Sequence, residues 1–319
     1  MTPAKPAFAA LLLFLSACAA SPKVGERLIR SGDEIVVCGQ LFHTGTRVVL
    51  WSDPGGYDAY RTTPAFSAPT QSQPQEKARY GARRNLPADL AAKIAERGMS
   101  LEDLQRVVRM FVLHYDVAGT ARNCFRTLQD DRVLSVHFLL DSDGTIYQTL
   151  DLKERAWHAT VANDASVGIE IAHIGAYPQP GHPVLRSWYK SDENGPRVVF
   201  PGIKVTGIAT PGFVARPARR ELVSGAIHGQ QFFMYDFTPE QYDALGKLCA
   251  TLHRALPRIR LDAPRQADGS LITTNLAPAV LAEYEGVLGH FHVQRNKQDP
   301  GPAFDWERVL ESARDYLAR

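Results

Sequence analysis

Apolar and polar positions along the chain fall into patterns that predict an order of elements. Ile35-Val36-Val37, Leu41-Phe42 and Val48-Val49-Leu50-Trp51 are β-branched and aromatic, with Gly39 and Gly45 between them, which predicts short strands joined by turns. Thr62 to Gln75 is rich in Pro, Ser, Thr and Gln. It buries too little apolar surface to offset ordering entropy, as expected of a linker or a loose strap. Ser100-Leu101-Glu102-Asp103 fits a capping box, and Leu101, Leu104, Val107 and Val108 then recur at helical spacing before a strand from Met110 to Tyr115. Arg132 to Leu140 alternates, Asp141-Ser142-Asp143-Gly144 signals a turn and Ile146 to Leu150 returns, which predicts a hairpin with His137 on its first strand. Val167 to Ala172 has the character of a buried strand. Thr238-Pro239-Glu240-Gln241 supplies a cap, an N1 proline and a capping-box glutamine for a helix that places Tyr242, Leu245, Leu248 and Leu252 on one face. Ala279 to Tyr284 predicts a shorter helix leading into a strand at His290. Asp305 or its neighbour caps a final amphipathic helix carrying Val309, Leu310, Ala313 and Leu317. Strands alternating with helices around a hairpin predict an α/β fold: one mixed central β-sheet flanked by helices, with a small N-terminal β extension.

The same pattern suggests boundaries. Lys5 precedes an apolar run, Ala7 to Leu15, too short to span a bilayer but of the length of a signal-peptide core. It closes in Leu15-Ser16-Ala17-Cys18, which resembles a bacterial lipobox. Residues 1–18 are therefore expected to be a leader, with Cys18 diacylated, and Ala19 matches the sorting pattern of outer-membrane lipoproteins facing the periplasm. Residues 19–99 are expected to form the β extension and linker, and the main domain to span 100–319. The Pro- and Gly-studded segment at about 174–236 is an insertion, for a connection this long in a compact domain is seldom without local structure or function.

Composition adds exclusions. The 319 residues are 45% hydrophobic, enough for a core, and 36 basic against 34 acidic residues leave a formal charge of +2. Such a balance offers no electrostatic footprint for nucleic acid. Cys18, Cys38, Cys124 and Cys249 show no Cys-x-x-Cys spacing, which argues against a thiolate zinc site; an export signal would permit a disulfide, and free buried thiols are an equally good reading.

Chemistry concentrates between Gly289 and Trp306, where His290, His292, Lys297 and Asp299 lie close in sequence. Neutral imidazoles and a carboxylate are the usual ligands of a catalytic zinc, which needs three protein ligands and one open position. Asp299-Pro300-Gly301-Pro302 cannot continue a helix or a central strand, so Asp299 is expected on a rigid turn. Paired histidines beside such a turn are also ordinary loop chemistry. Glu170 sits between apolar Ile169 and Ile171, where burial raises a carboxyl's pKa and suits it to take a proton near neutral pH. The structural alternative is a carboxylate paired with a buried cation.

The string Gly289-His290 followed by Lys297-Gln298-Asp299-Pro300-Gly301-Pro302 and Phe304-Asp305-Trp306 resembles the C-terminal zinc motif of the N-acetylmuramoyl-L-alanine amidases related to phage amidases and peptidoglycan recognition proteins. Val112-Leu113-His114-Tyr115, Ser135-Val136-His137-Phe138, Ala156-Trp157-His158-Ala159 and Ser166 to Ile171 follow in that family's order, so the resemblance covers roughly Leu101 to Trp306. It implies a zinc ion held by His114, His290 and Asp299, with Glu170 as the general base and Lys297 steadying the oxyanion; His158 is a weaker candidate for that last task. His292 rivals His290, since side chains two apart on a strand face the same way, but the Gly-His pairing of the family falls on His290. His137 is expected to be structural or to face substrate. Some phage-type relatives carry a catalytic tyrosine immediately before this histidine, whereas this chain has Val136.

By resemblance the substrate is peptidoglycan or a muropeptide, cut between N-acetylmuramic acid and L-alanine. The membrane enters only through the lipid on Cys18, and no protein partner is inferred. The alternatives are a recognition protein that binds muropeptides without cutting them, usually after losing a zinc ligand, and a zinc amidase with another amide substrate. Should Cys18 carry the lipid, Cys18→Ser should move the protein from the membrane to the soluble fraction; a variant that still partitions with membranes as the wild type does removes the anchor.

Overall fold

A sheet of six strands organises the chain: β1 (Val48–Leu50), β2 (Met110–Tyr115), β3 (Phe138–Leu140), β4 (Ile146–Gln148), β5 (Ser166–Ile171) and β6 (Gly286–Gly289), in the spatial order β6-β2-β5-β3-β4-β1. The pairs β6/β2, β2/β5, β5/β3 and β4/β1 are parallel, and only β3/β4 is antiparallel, so the sheet is mixed as expected. This computed structural model describes Gly25 and residues 29–67 and 77–319. The apolar run Ala7–Leu15 and Cys18 lie outside the described residues, as does the end of the Thr62–Gln75 segment. No helix among the described residues is long and apolar enough to cross a membrane.

Both faces of the sheet are covered, as the near-continuous apolar strands Met110–Tyr115 and Ser166–Ile171 require. On one face, Phe111, Leu113, Val167, Ile169 and Ile171 pack against α3 (Pro239–Ala255) and α5 (Trp306–Ala318) in a single core. The sequence signals at the ends of these helices hold in the structure. Ser100 and Asp103 close a capping box on α1 (Leu101–Val107), Thr238 and Gln241 close one on α3, and the Asp305 side chain accepts from the Arg308 N–H to start α5. Gln241 does a second job, for its amide donates to the Ala172 carbonyl just past β5 and ties α3 to the end of that strand. On the opposite face, Leu139 and Tyr147 pack against α2 (Ala121–Arg126), while Met110, Val112 and Leu288 pack under the helix Pro278–Glu283. Between these two coverings the ends of β2, β5 and β6 stay accessible.

Two expectations are corrected. The strand expected over Arg132–Leu140 is shorter: Thr127–Arg132 extends α2 as a wide helical turn, strand pairing begins only at Phe138, and His137 lies just before it. The polar side chains at this entry turn inward to backbone groups, Ser135 to the Arg79 carbonyl and His137 to Glu154. Next, His290 is not on a strand. β6 ends at Gly289 and His290 opens the short helix α4 (His290–Val293).

The N-terminal β extension packs into the main body, for Gly32–Arg319 forms one compact unit. Its hairpin Glu34–Val37/Gln40–His43 buries Ile35 and Val37 in the main core, and β1 is the edge strand of the central sheet. Long-range polar groups fix it there. Gln148 is buried and bonds both the N–H and the carbonyl of Val36 at 2.8 Å, and Asp151 accepts from the N–H groups of Cys38 and Gly39 at 2.8 and 2.7 Å. Even the start of the supposed loose strap is tied down: the N–H groups of Ala65, Phe66 and Ser67 converge on the Asp130 carboxylate at 2.6, 2.9 and 2.9 Å. Cys38, Cys124 and Cys249 are free thiols. The insertion carries the helix Pro183–Trp188 and the hairpins Tyr189–Asp192/Gly195–Val198 and Val223–Ile227/Gln230–Met234.

Candidate metal centre and active site

Register places the site. His114 and Glu170 are direct neighbours across the parallel pair β2/β5, near the carboxyl ends of both strands, and β6 delivers His290 one residue beyond its own end. In open α/β sheets this rim is where ligands bind. Asp299 arrives on the expected turn, where its carbonyl accepts from the Phe291 N–H at 3.1 Å. Gly289 allows the approach, because a Cβ there would lie 2.6 Å from the Pro300 ring and 3.1 Å from the Asp299 carbonyl oxygen.

The three side chains meet. His114 Nδ1 lies 2.9 Å from His290 Nδ1 and 2.9 Å from Asp299 Oδ2, and His290 Nδ1 is 3.0 Å from the same oxygen. Their partners assign the tautomers. His290 Nε2 donates to Gln294 Oε1 at 2.7 Å, and His114 Nε2 lies 3.0 Å from His158 Nδ1, whose own Nε2 is 3.2 Å from the Ser166 hydroxyl. With each neutral ring carrying its proton on Nε2, two bare nitrogens and a carboxylate oxygen face one another. That arrangement is repulsive unless a cation lies between them. The separations approach the roughly 3.3 Å edge of a tetrahedron with bonds of about 2.0 Å, so two imidazoles and one carboxylate fit a zinc-type ion.

Charge keeps the ligands ready. Burial, then the neighbouring His290, pushes His114 down to about 4 against the pull of Asp299, so its ring is neutral at pH 7. Burial alone would raise the Asp299 carboxyl, but the adjoining His290 and His114 imidazoles outweigh it and hold the group well below the usual carboxylate range. Glu170 moves the other way, raised well above its ordinary value by burial first and then by Asp299 and Asp116. Its Oε2 is buried with no partner among the described residues. The structural alternative, a buried cation paired with Glu170, is absent among the described residues.

His292 is excluded as a ligand. On a helix, two residues are about 200° apart, so His292 points away from His290. Its Nδ1 accepts from the Gly289 N–H at 2.9 Å and its Nε2 donates to the Ile272 carbonyl at 2.6 Å. His137 is likewise structural, accepting from the Gly168 N–H and donating to the Glu154 carbonyl, both at 3.1 Å. Lys297 lies in the same cleft, with its charge felt at both Glu170 and His114. The cleft has a volume of about 800 Å³ and is partly walled by Trp188 and Ile203 of the insertion. Gly119 makes room for that wall, since a Cβ on it would meet the Trp188 ring at 2.2 Å.

Residues 104–194 match the family described as N-acetylmuramoyl-L-alanine amidase. Over that stretch the chain is similar to the family. The match takes in His114, His158 and Glu170 and ends before His290 and Asp299, whose place in the amidase site rests on the convergence described above. Among solved structures, an AmpD derivative is 17% identical over 82% of this chain and 97% of its own, with a TM-score of 0.34. AmiD from E. coli, a complex with the substrate anhydro-N-acetylmuramic acid-L-Ala-D-gamma-Glu-L-Lys, is 18% identical over 64% of this chain and 57% of its own, with a TM-score of 0.36. Superpositions this loose add nothing to the family match. No curated protein matches.

Several residues of the amidase site escape sequence reading. Gln294 carries a faint signal, being one helical turn from His290. Asp116 carries none: it is half-buried and raised to about 7 by desolvation, against hydrogen bonds from the His173, Gly119 and Ala118 N–H groups, with Oδ2 lacking a partner among the described residues. Val117 beside it adopts φ 52°, a costly conformation for a β-branched residue and one common at functional sites.

His158 is better placed as an orienter than as the oxyanion donor. Its ring lies over Gly168, where a Cβ would come within 2.4 Å of Nδ1. Outer partners of metal-bound histidines are typically worth about 10–100-fold in metal affinity. His158→Ala and Gly168→Ala should each weaken zinc binding by roughly that factor, measured by competition with a chromogenic chelator. Wild-type affinity in both variants would mean that His158 only fills space.

Proposed function

We propose that this protein is a zinc-dependent amidase that hydrolyses the bond between N-acetylmuramic acid and L-alanine in peptidoglycan or muropeptides, working in the periplasm as a lipoprotein held through Cys18. The observation that carries the reading is the convergence of His114 Nδ1, His290 Nδ1 and Asp299 Oδ2 beside the unpartnered Glu170 Oε2. Zinc bound by these three ligands would polarise the scissile carbonyl and acidify the attacking water toward a pKa of about 7.

The chain's own groups supply the rest. Glu170 takes one proton from the attacking water as the new C–O bond forms. It returns that proton to the departing alanine nitrogen as the C–N bond breaks, so no net proton is consumed. Its raised proton affinity suits both halves of the exchange. Lys297 directs positive charge at the oxygen on which negative charge develops, the role its family position implies. Burial of the three ligands keeps bulk water from competing for them, and the wall contributed by Trp188 and Ile203 narrows the approach of the substrate.

Glu170→Gln keeps the shape of the side chain and removes the base. Hydrolysis of a muramyl-L-alanine peptide should fall by about 10² to 10⁴ while zinc content and peptide binding are retained. Cleavage at the wild-type rate would assign the base elsewhere. A zinc-loaded wild-type protein that binds such peptides and never releases an L-alanine-terminated stem would instead be a receptor.

A further inference from the structure

Helix α2 separates two clefts. Asn123, Cys124 and Arg126 face the catalytic one, while Arg122 and Phe125 face another of about 610 Å³, a size that accommodates a sugar or a small oligosaccharide. Aromatic rings floor this second cleft. Tyr57 stacks on Phe125 with centroids 5.1 Å apart and leans on Tyr147 at 4.6 Å. Three arginines, Arg47, Arg61 and Arg122, stand around the rings. The Arg122 guanidinium lies 4.6 Å over the Phe66 ring, which covers one face of the fork and leaves its in-plane N–H groups free.

Nothing among the described residues uses these donors. Among the described residues, none of the three guanidiniums donates a hydrogen bond or meets a carboxylate within 4.0 Å. Arg83, by contrast, is spent on the carbonyls of Leu152, Asp164 and Ser166. The cleft's acid, Asp58, is partly engaged by the Tyr60 N–H at 2.9 Å. The insertion also helps to build the wall here: Tyr147 donates to the Gly207 carbonyl at 3.3 Å, and Gly207, at φ 78°, sits so close that a Cβ would lie 2.9 Å from Arg122 Cβ. One inserted segment thus walls both clefts.

Flat apolar rings suit the faces of a sugar, and unpaired guanidinium forks suit a carboxylate or a phosphate. We propose that this cleft is a second saccharide-binding site, which takes an oxyanion-bearing sugar of a glycan strand outside the catalytic cleft. The choice of a wall glycan rests on the amidase reading; the oxyanion chemistry rests on the cleft alone. Its effect is on polymer capture, while the short substrate that fills the catalytic cleft is handled as before.

The test compares Arg47→Ala/Arg61→Ala with the parent chain, both residues being exposed and outside the catalytic cleft. Co-sedimentation with purified murein sacculi, in a Glu170→Gln background so that the polymer is not consumed, should weaken by at least about tenfold, the loss expected when one charge-assisted hydrogen bond is removed. In the background with Glu170 intact, kcat/KM for a soluble muramyl peptide should stay within about twofold. Sacculus binding that is unchanged, or soluble turnover that falls in step with it, overturns the proposal. Competition separates the sources of the oxyanion: displacement by N-acetylmuramic acid assigns a carboxylate ligand, and displacement by inorganic phosphate alone assigns a phosphate-bearing one. If the wild type cleaves no muramyl peptide, the amidase reading fails, while the sedimentation result still reads the cleft.

Discussion

Two imidazole nitrogens and one carboxylate oxygen held within 3.0 Å of one another are the constraint on which the rest of this site depends. Left alone, lone pairs at that distance repel. The fold keeps them together by supplying each from a different rigid element, so none relaxes without moving a strand end or a turn. Parallel pairing fixes His114 beside Glu170, the end of β6 fixes His290, and the backbone bond between Phe291 and Asp299 fixes the turn. Glycines sit where these elements crowd: Gly289 against Pro300, Gly168 under His158. The sheet's register is therefore a statement about metal geometry as much as about packing.

The outer partners complete that statement. Gln294 behind His290, and His158 with Ser166 behind His114, direct both protons away from the centre and make both inner nitrogens acceptors of a cation. The electrostatics run in the same direction, since burial lowers His114 and the two imidazoles lower Asp299, leaving both of these ligands deprotonated at neutral pH without help from the ion. Glu170 is raised instead, by burial first and then by Asp299 and Asp116, which together outweigh the pull of Lys297 and Arg132. Two carboxylates on one cleft are thus pushed apart in proton affinity, which is the way environments assign different acid–base roles to like groups.

Much of this was legible in the sequence where the signal is local. Capping boxes at Ser100 and Thr238 are read from four consecutive residues, and both close as expected. His114, His290 and Asp299 were legible through residue type and family order, and the structure brings the three together. What was not legible depends on distant partners. Val48–Leu50 has an ordinary strand pattern, and nothing in it says that its partner is Ile146–Gln148, about a hundred residues on, which is why the N-terminal segment had the look of a separate extension. The change from strand to helix at Gly289 is equally hidden: His-Phe-His-Val alternates like a strand, and only the backbone bend separates His290 from His292 by half a helical turn. The setting of Asp116 and the Arg122 cleft are products of packing and leave no trace in spacing.

Elemental analysis of dialysed protein tests the central constraint most directly, with His290→Ala and His292→Ala measured side by side. One zinc per chain in the wild type, one in His292→Ala and almost none in His290→Ala is the expected result. Zinc retained in His290→Ala and lost in His292→Ala, or no stoichiometric zinc in the wild type, would contradict the ligand set of His114, His290 and Asp299.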